Sequence, residues 1–220
     1  MQLVHSHSWH VTPKQAIAIQ NRLRTKVITR DEFDEINTVA GVDVGFENNG
    51  KVTRAAIAVL TFPALELQTV SISRCETSFP YIPGLLSFRE LPAVLKALEK
   101  LPVFPDLLLC DGQGYSHPRR FGIASHLGVL TDRPAVGVGK SRLTGIHKAV
   151  PDRRGAWRAL VDNGEVIGAV VRTRIKVKPV YVSIGHRVSL ETAIRFTLEC
   201  TTRFRLPETT RMAHKYASGG

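Results

Sequence analysis

The feature that most constrains the fold is a short apolar run inside the segment PDLLLC (105–110). So brief and uninterrupted a run is typical of a strand buried on both faces, as in a parallel sheet covered by helices. Before it, VAGVDVGF (39–46), RAAIAVLTF (54–62) and ELQTVSISRCE (66–76) predict three strands joined by short turns. The order of these elements predicts an α/β fold, with a mixed β-sheet flanked by helices on both faces.

The remaining elements follow from apolar periodicity and turn signals. We predict helices over 13–37, through AVLKALEKL (93–101), over 121–130, over 189–201 from an N-cap at Ser189, and from near Pro207. We predict strands over 134–140 and 177–185, a hairpin over 157–174 around Asn163-Gly164, and a first hairpin turn at Asn49-Gly50. No repeat or linker divides the sequence, so residues 1–220 are expected to form a single domain.

Charge and cysteine content limit the function classes. The chain of 220 residues carries 30 Lys and Arg against 19 Asp and Glu, a net charge of +11, which favours a polyanionic partner, nucleic acid before membrane. A basic protein that is merely soluble is the competing interpretation. Three cysteines without a CxxC pair argue against disulfides and zinc, and we find no leader peptide or membrane-spanning run. We therefore expect a cytoplasmic protein.

Two aspartates stand at positions that suggest a function. Burial of a carboxylate is costly at one of them, and the other lies at a strand edge where ligands usually bind. Asp43 interrupts an apolar strand, and Asp111 ends the run LLLC just before Gly-Gln-Gly, at the strand edge where α/β sheets usually bind ligands. If the two strands are neighbours, both carboxylates meet and require a divalent cation between them. Taken singly, each is also a plausible turn-former or helix cap.

Glu90 has two interpretations. The segment SFRE (87–90) matches the S-x-x-E capping box, in which Glu90 only satisfies a helix N-terminus, with Pro92 in the first turn. Alternatively, Glu90 is a third carboxylate of the site.

Several basic and imidazole side chains are candidates for phosphate contact. The segment GVGKS (137–141) is not a phosphate loop, because a proline stands where the first glycine is required, but Lys140 can still meet a single phosphate. His117 lies in a basic loop with Arg119 and Arg120, which is either a phosphate contact or a solvated face. His214 alone is best explained as a solvated histidine.

The segment FPYIPGLLSFRE (79–90) is hard to explain by packing alone. Two prolines bracket Tyr81-Ile82 and should keep that dipeptide extended and stiff. A rigid aromatic tip therefore stands a few residues before a carboxylate.

In this order and spacing, GVDVGF, PYIPGLLSFRE, DGQGYSHPRRFGIASHLG and GVGKS resemble the endonuclease V family, over residues 10 to 216. The resemblance implies a ribonuclease-H-like fold. It also implies an endonuclease that nicks DNA at the second phosphodiester bond 3′ of deoxyinosine, leaving a 3′-hydroxyl and a 5′-phosphate. Magnesium (Mg²⁺), or manganese (Mn²⁺) in its place, is the implied cofactor. Inosine-containing RNA is a second candidate substrate, and a monomer is expected.

The resemblance also assigns roles to residues. The implied metal ligands are Asp43, Glu90, Asp111 and His214, and Lys140 is implied to lie near the scissile phosphate. The wedge that fills the gap left by a flipped base corresponds to Pro80, Tyr81, Ile82 and Pro83. The implied base pocket contains Gly84, Leu86, Gly112 and Ile123, and we also predict substrate contacts for Arg89 and His117. Hypoxanthine differs from adenine at N1–H and O6, which the pocket would have to read.

Two alternatives remain open. Another ribonuclease-H-like nuclease, such as a junction resolvase or ribonuclease H, would not need the PYIP tip. A nucleic-acid-binding module without activity would not need carboxylates facing a polyanion.

Overall fold

A computed structural model describes residues 3–219. The strands are β1 (Thr38–Glu47), β2 (Val52–Thr61), β3 (Leu67–Glu76), β4 (Leu107–Cys110), β5 (Ala135–Gly139), β6 (Trp157–Asp162), β7 (Glu165–Val171) and β8 (Val180–His186). The helices are α1 (Pro13–Leu23), α2 (Leu86–Glu99), α3 (Ile123–Thr131), α4 (Leu190–Glu199) and α5 (Glu208–Ala217), with a 3₁₀ turn at Arg24–Lys26. The predicted strands match the observed ones to within three residues at either end.

All eight strands belong to one sheet, in the order β3-β2-β1-β4-β5-β8-β7-β6. β1, β2 and β3 pair antiparallel, β4 and β5 run parallel to β1, and β8, β7 and β6 complete the sheet antiparallel. The sheet is therefore mixed, as predicted. β4 lies between β1 and β5, and its residues Leu107 to Cys110 are fully buried, as expected of an uninterrupted apolar strand.

Helices cover both faces of the sheet. On one face, α2, α3 and the end of α1 pack their apolar side chains against β1, β2 and β4. On the other face, α4 and α5 pack with Phe196 and Ala213 against β4, β5, β7 and β8. This arrangement confirms the predicted α/β, ribonuclease-H-like fold. The single domain over 1–220 stays a prediction, and residues 1, 2 and 220 lie outside the described part.

Helix α5 reaches β1 because β1 has two glycines on the facing side. A Cβ atom at Gly41 would collide with the backbone of Thr209, at the start of α5. A Cβ atom at Gly45 would collide with the backbone carbonyl of Ala217, at the end of α5. The helix backbone therefore lies directly on the strand backbone, which fixes the position of every side chain that α5 directs along β1.

The predicted helix over 13–37 is wrong beyond residue 26. Helix α1 ends at Leu23, and after the 3₁₀ turn the chain has no helix up to β1. Val27, Ile28 and Thr29 are β-branched and poor helix formers. This segment instead bonds outward, since the Ile28 N–H donates to Nδ1 of His186 at 3.2 Å and the Arg187 N–H donates to the Ile28 carbonyl at 2.8 Å.

The predicted capping box at residues 87–90 is not formed. Helix α2 begins at Leu86, so its N-cap is Leu85 and no side chain caps it. The helix starts early because Leu85 and Phe88 pack with Phe79 in a small apolar cluster. Pro92 consequently lies inside the helix and not in its first turn. By contrast, Ser189 caps α4 as predicted and accepts from the Thr192 N–H at 3.2 Å.

Among residues 3–219, no helix combines the length and apolar character required to cross a bilayer.

Candidate active site

The two aspartates lie side by side on neighbouring parallel strands. Val42 of β1 pairs with Cys110 of β4, and the Asp111 N–H donates to the Val42 carbonyl at 2.9 Å. Asp43 is the next residue along β1, so its carboxylate stands next to that of Asp111. The prediction that the strands are neighbours is confirmed, and Asp43 is not a turn-former or a helix cap.

Two further side chains contact these carboxylates. His214, on α5, places Nδ1 2.7 Å from Oδ2 of Asp43. Lys140 follows β5 and forms an ion pair with Asp111. His214 is exposed, as expected for a solvated histidine, yet it is held against Asp43. The docking of α5 on β1 therefore brings a residue from the end of the chain to a site built near its start.

Burial and neighbouring negative charge raise the pKa of two carboxyl groups at this site, those of Asp43 and Glu90. Burial raises the pKa of Asp43, and the charge of Asp111 raises it further, while the Val44 N–H and His214 act in the opposite direction. Burial, followed by the charges of Asp43 and Asp111, raises the pKa of Glu90 to about 8. Three carboxylates in one partly buried place repel each other unless protons or cations intervene.

Three of these side chains are arranged to hold a metal ion. Asp43, Asp111 and His214 each offer one ligand atom, and these atoms all lie within 4.8 Å of one another. Glu90 is outside this set, although it is near enough for both aspartates to act on its pKa. The structure thus brings together three of the four side chains that the resemblance implied as ligands and leaves Glu90 outside the group.

A cavity of about 390 Å³ opens beside the carboxylates. Many of the predicted site residues line it: Tyr81, Pro83, Gly84, Leu86, Glu90, Asp111, Gly112, His117, Ile123 and Lys140. The predicted site residues that do not line it are Asp43, Pro80, Ile82, Arg89 and His214. The predicted base pocket and the predicted cutting site are therefore parts of one concave surface.

The loop before α2 presents Tyr81 to solvent. Tyr81 is 68% exposed, which is unusual for a large aromatic side chain, and the flanking Pro80 and Pro83 are exposed as well. Ile82 is partly buried and packs against the cluster of Phe79, Leu85 and Phe88. Ile82 therefore anchors the loop, and Tyr81 stands free at its tip.

His117 is buried and neutral, so it is neither a solvated cation nor an exposed phosphate contact. It is only 3% exposed, and burial, followed by the charge of Arg119, lowers its pKa to about 4. Its Nε2–H donates to the Gly84 carbonyl at 3.0 Å, and its Nδ1 accepts from the Arg119 N–H at 3.1 Å. Nη2 of Arg119 and Nε2 of Gln20 donate to the same Gly84 carbonyl at 2.6 and 3.0 Å. These bonds tie the Tyr81 loop to the loop after β4.

Arg89 and Arg120 serve other contacts. Arg89 donates to the Phe79 carbonyl at 2.9 Å and to the Gly50 carbonyl at 3.2 Å, and it lies over the Phe46 ring at 4.5 Å. Arg120 forms ion pairs with two acidic side chains of the β6–β7 hairpin, at 2.9 and 2.7 Å. Both arginines therefore fix loops around the site, and their guanidinium groups are already engaged.

Sequence reasoning missed eight residues that line the cavity: Gln20, Ser87, Gln113, Gly122, Gly139, Ser141, Arg142 and Leu143. Most of them lie within or beside the blocks DGQG, FG and GVGKS, so proximity to those motifs was an available signal. Gln20 lies in α1 and had no such signal.

The chain is similar over nearly its whole length to proteins of one family. The family model described as Endonuclease V matches residues 21–215. An Endonuclease V of Trichormus variabilis is 58% identical over 219 residues, covering 99% of both chains. That of Rippkaea orientalis is 60% identical over 205 residues, covering 93% of this chain and 90% of the relative.

Solved structures with a similar fold are also described as Endonuclease V. The crystal structure of Endonuclease V from Streptomyces avermitilis is 43% identical, with a TM-score of 0.91 over 96% of this chain and 93% of that one. Endonuclease V of Ciona intestinalis, crystallised with a 24mer DNA containing an inosine followed by a ribo-adenosine, is 31% identical. Its TM-score is 0.82 over 93% of this chain and 95% of that one.

Proposed function

The chain belongs to the endonuclease V family, whose members are DNA-cleaving hydrolases, and from this premise we propose that it nicks DNA at deoxyinosine. The cut falls at the second phosphodiester bond 3′ of the lesion and leaves a 3′-hydroxyl and a 5′-phosphate. Such a nick would start the repair of deaminated adenine. One observation carries the proposal: the exposed Tyr81 loop and Asp111, one of the three grouped candidate metal ligands, border a single cavity.

The side chains fit a divalent metal ion. Two carboxylates and one imidazole converge within 4.8 Å. Mg²⁺ and Mn²⁺ favour oxygen ligands such as these carboxylates. Burial, followed by the charge of Asp111, raises the pKa of Asp43, and a cation held between the two aspartates would stabilise both as carboxylates. Asp43, Asp111 and His214 would hold the ion, with Glu90 as a further ligand. A bound ion would supply Lewis-acid polarisation of the phosphate and a more acidic water.

Lys140 would act on the phosphate. Its ammonium group forms an ion pair with Asp111, and its side chain is exposed to solvent. When a phosphodiester enters, Lys140 can donate to a phosphate oxygen as a point charge and offset charge on the departing 3′ oxygen.

The Tyr81 loop would hold the DNA open while the base occupies the cavity. A flipped base leaves a gap in the stack, which an exposed aromatic ring on a proline-stiffened loop can fill. The cavity of about 390 Å³ falls in the usual range of about 300–1,000 Å³ for small-molecule pockets. The loop is tied to the cavity floor through the Gly84 carbonyl, so wedge and pocket keep a fixed spacing.

The experiment compares Asp43→Asn and Asp111→Asn with the unaltered protein. The substrates are duplexes with one deoxyinosine, the matched undamaged duplex, and an inosine-containing RNA of the same sequence, all with Mg²⁺. Each variant should abolish nicking, while binding to inosine DNA survives in Ca²⁺. Asp34→Asn, at an exposed aspartate away from the cavity, is the matched control.

Product ends are mapped at nucleotide resolution, and sealing by a ligase tests for the 5′-phosphate. Near-normal cleavage by either variant removes that aspartate from the site. Equal cleavage of damaged and undamaged duplexes would refute inosine specificity, and the rate ratio between DNA and RNA decides which is the better substrate.

A further inference from the structure

A directed chain of hydrogen bonds reaches the cavity from its rear side. Nδ1 of His7 lies 2.8 Å from the Ser8 carbonyl oxygen, and Nε2 of His7 lies 2.7 Å from Nε2 of His126. Nδ1 of His126 lies 2.9 Å from Oγ of Ser87. His126 is fully buried, Ser87 is 3% exposed, and Ser87 lines the cavity. The proposed cleavage chemistry uses none of these side chains.

The direction of every bond follows from its first member. A carbonyl only accepts, so the proton of His7 is on Nδ1, and Nε2 of a neutral His7 must accept. His126 therefore donates through Nε2–H, and its Nδ1 accepts from the Ser87 hydroxyl. Burial lowers the pKa of both histidines, which keeps both rings in the neutral form that this pattern needs.

Aromatic packing holds the two rings in place. The His7 ring lies 4.3 Å from that of Trp9 and 5.4 Å from that of Phe88, between ring centroids. The His126 ring lies 5.2 Å from Phe88 and 5.0 Å from Phe121. The imidazoles therefore have little freedom to turn and reverse the chain.

The polarity of Ser87 is fixed as a result. Its single hydroxyl hydrogen is committed to His126, and within the described residues Oγ has no second hydrogen-bond partner. Ser87 can therefore offer only lone pairs to a molecule in the cavity.

We propose that Oγ of Ser87 accepts a hydrogen bond from N1–H of a flipped hypoxanthine, and that His7 and His126 are positioning residues that fix this polarity. The inference rests on the proposed function. N1–H is the only N–H group of hypoxanthine in a nucleoside, whereas N1 of adenine is an acceptor. An acceptor at Ser87 therefore favours inosine and opposes adenosine at the same atom.

Binding measurements test the specificity. Fluorescence anisotropy in Ca²⁺ compares single-stranded oligonucleotides that carry deoxyinosine or deoxyadenosine at one position, so that base pairing plays no part. Ser87→Ala should weaken deoxyinosine binding about two- to tenfold, the range of one neutral hydrogen bond, without weakening deoxyadenosine binding. Ser87→Thr, which keeps a hydroxyl, should retain more of the preference.

A variant outside the cavity tests the chain itself. His7→Phe keeps an aromatic ring beside Trp9 and Phe88 but removes the acceptor for His126. His126 is then free to place its proton on Nδ1, and the Ser87 hydroxyl can turn its hydrogen into the cavity. The preference for deoxyinosine over deoxyadenosine should fall, whereas His10→Phe, at an exposed histidine, should not change it.

Imidazole ¹⁵N NMR gives a readout that packing alone would not produce. In the unaltered protein His126 should have the Nε2–H tautomer, with Nδ1 unprotonated, and in His7→Phe this tautomer should no longer be fixed. An Nδ1–H tautomer in the unaltered protein would overturn the inference without any ligand.

The outcomes separate the two claims. If the unaltered protein binds both oligonucleotides equally, the proposed function fails. If it prefers deoxyinosine and Ser87→Ala keeps the full preference, Ser87 is not the acceptor. If a thermal melt shows that Ser87→Ala is unfolded, the preference for deoxyinosine over deoxyadenosine is compared between His7→Phe and His10→Phe. An unchanged preference in His7→Phe overturns the inference.

Discussion

Replacing Glu90 by glutamine should stabilise the metal-free protein, and the gain should grow with pH. Burial and the charges of Asp43 and Asp111 raise the pKa of Glu90 from 4.5 to about 8. The unfolded chain therefore releases this proton near pH 4.5, and the folded chain retains it until near pH 8. Because the unfolded state binds fewer protons in this window, stability falls as pH rises through it.

The expected size follows from that window. Each pH unit between the two pKa values costs about 1.4 kcal/mol, so Glu90 costs up to about 3 kcal/mol of unfolding free energy at pH 7. Glu90 borders a cavity open to water, which reduces the penalty, so we expect a gain of about 1–3 kcal/mol for Glu90→Gln at pH 7. The gain should shrink as pH falls toward 4.5 and vanish below it, since Glu90 is then protonated in both the folded and the unfolded state.

Urea unfolding in a chelator, from about pH 5 to about pH 8, measures the effect. Glu99→Gln, at the exposed end of the same helix, is the matched control and should give no such trend. Added Mg²⁺ should narrow the difference, because a cation favours the carboxylate over the amide. A gain that is constant with pH, or a loss of stability in Glu90→Gln, would show that Glu90 is ionised in the folded protein and would refute the reasoning.

Two further predictions concern DNA binding. Tyr81→Ala should lower affinity for inosine DNA about five- to 150-fold through lost stacking. Its melting temperature should change little because Tyr81 is 68% exposed. Tyr81→Phe should bind normally. Normal binding by a destabilised Tyr81→Ala would make Tyr81 a core residue. With a net charge of +11, the protein should bind undamaged DNA with an affinity that falls steeply between about 50 and about 200 mM salt; a flat response would mean that the basic excess does not serve nucleic acid.

The sheet was predictable because its signals are local. Apolar runs and Asn-Gly turns marked the strands, and the interruption of β1 by Asp43 together with Asp111 at the end of β4 located the carboxylate pair. The errors arose where local signals competed with distant contacts. Residues 27–29 directly follow the charged helical segment of α1, but the backbone of Ile28 bonds to His186 and Arg187. The segment SFRE matches the capping-box pattern, yet the Ser87 hydroxyl bonds to His126 and not to the backbone at the start of the helix.

The same limit applies to the cavity. Its carboxylates and glycines lie within recognisable motifs, whereas Gln20 donates to Gly84 and Phe121, 64 and 101 residues away. The chain from His7 to Ser87 joins residues 119 and 39 positions apart. Such partners depend on how α1, α2 and α3 pack on one face of the sheet, which no local pattern encodes.

The two glycines beneath α5 have a consequence for protein engineering. At Gly41 and Gly45 the required property is the absence of a side chain, so even one methyl group would push away the helix that carries His214. In a randomised library, these two codons should be left unchanged although neither residue would touch DNA or metal. Variants at these two positions would be inactive because α5 is displaced. A search that scores only chemically reactive side chains would overlook both glycines.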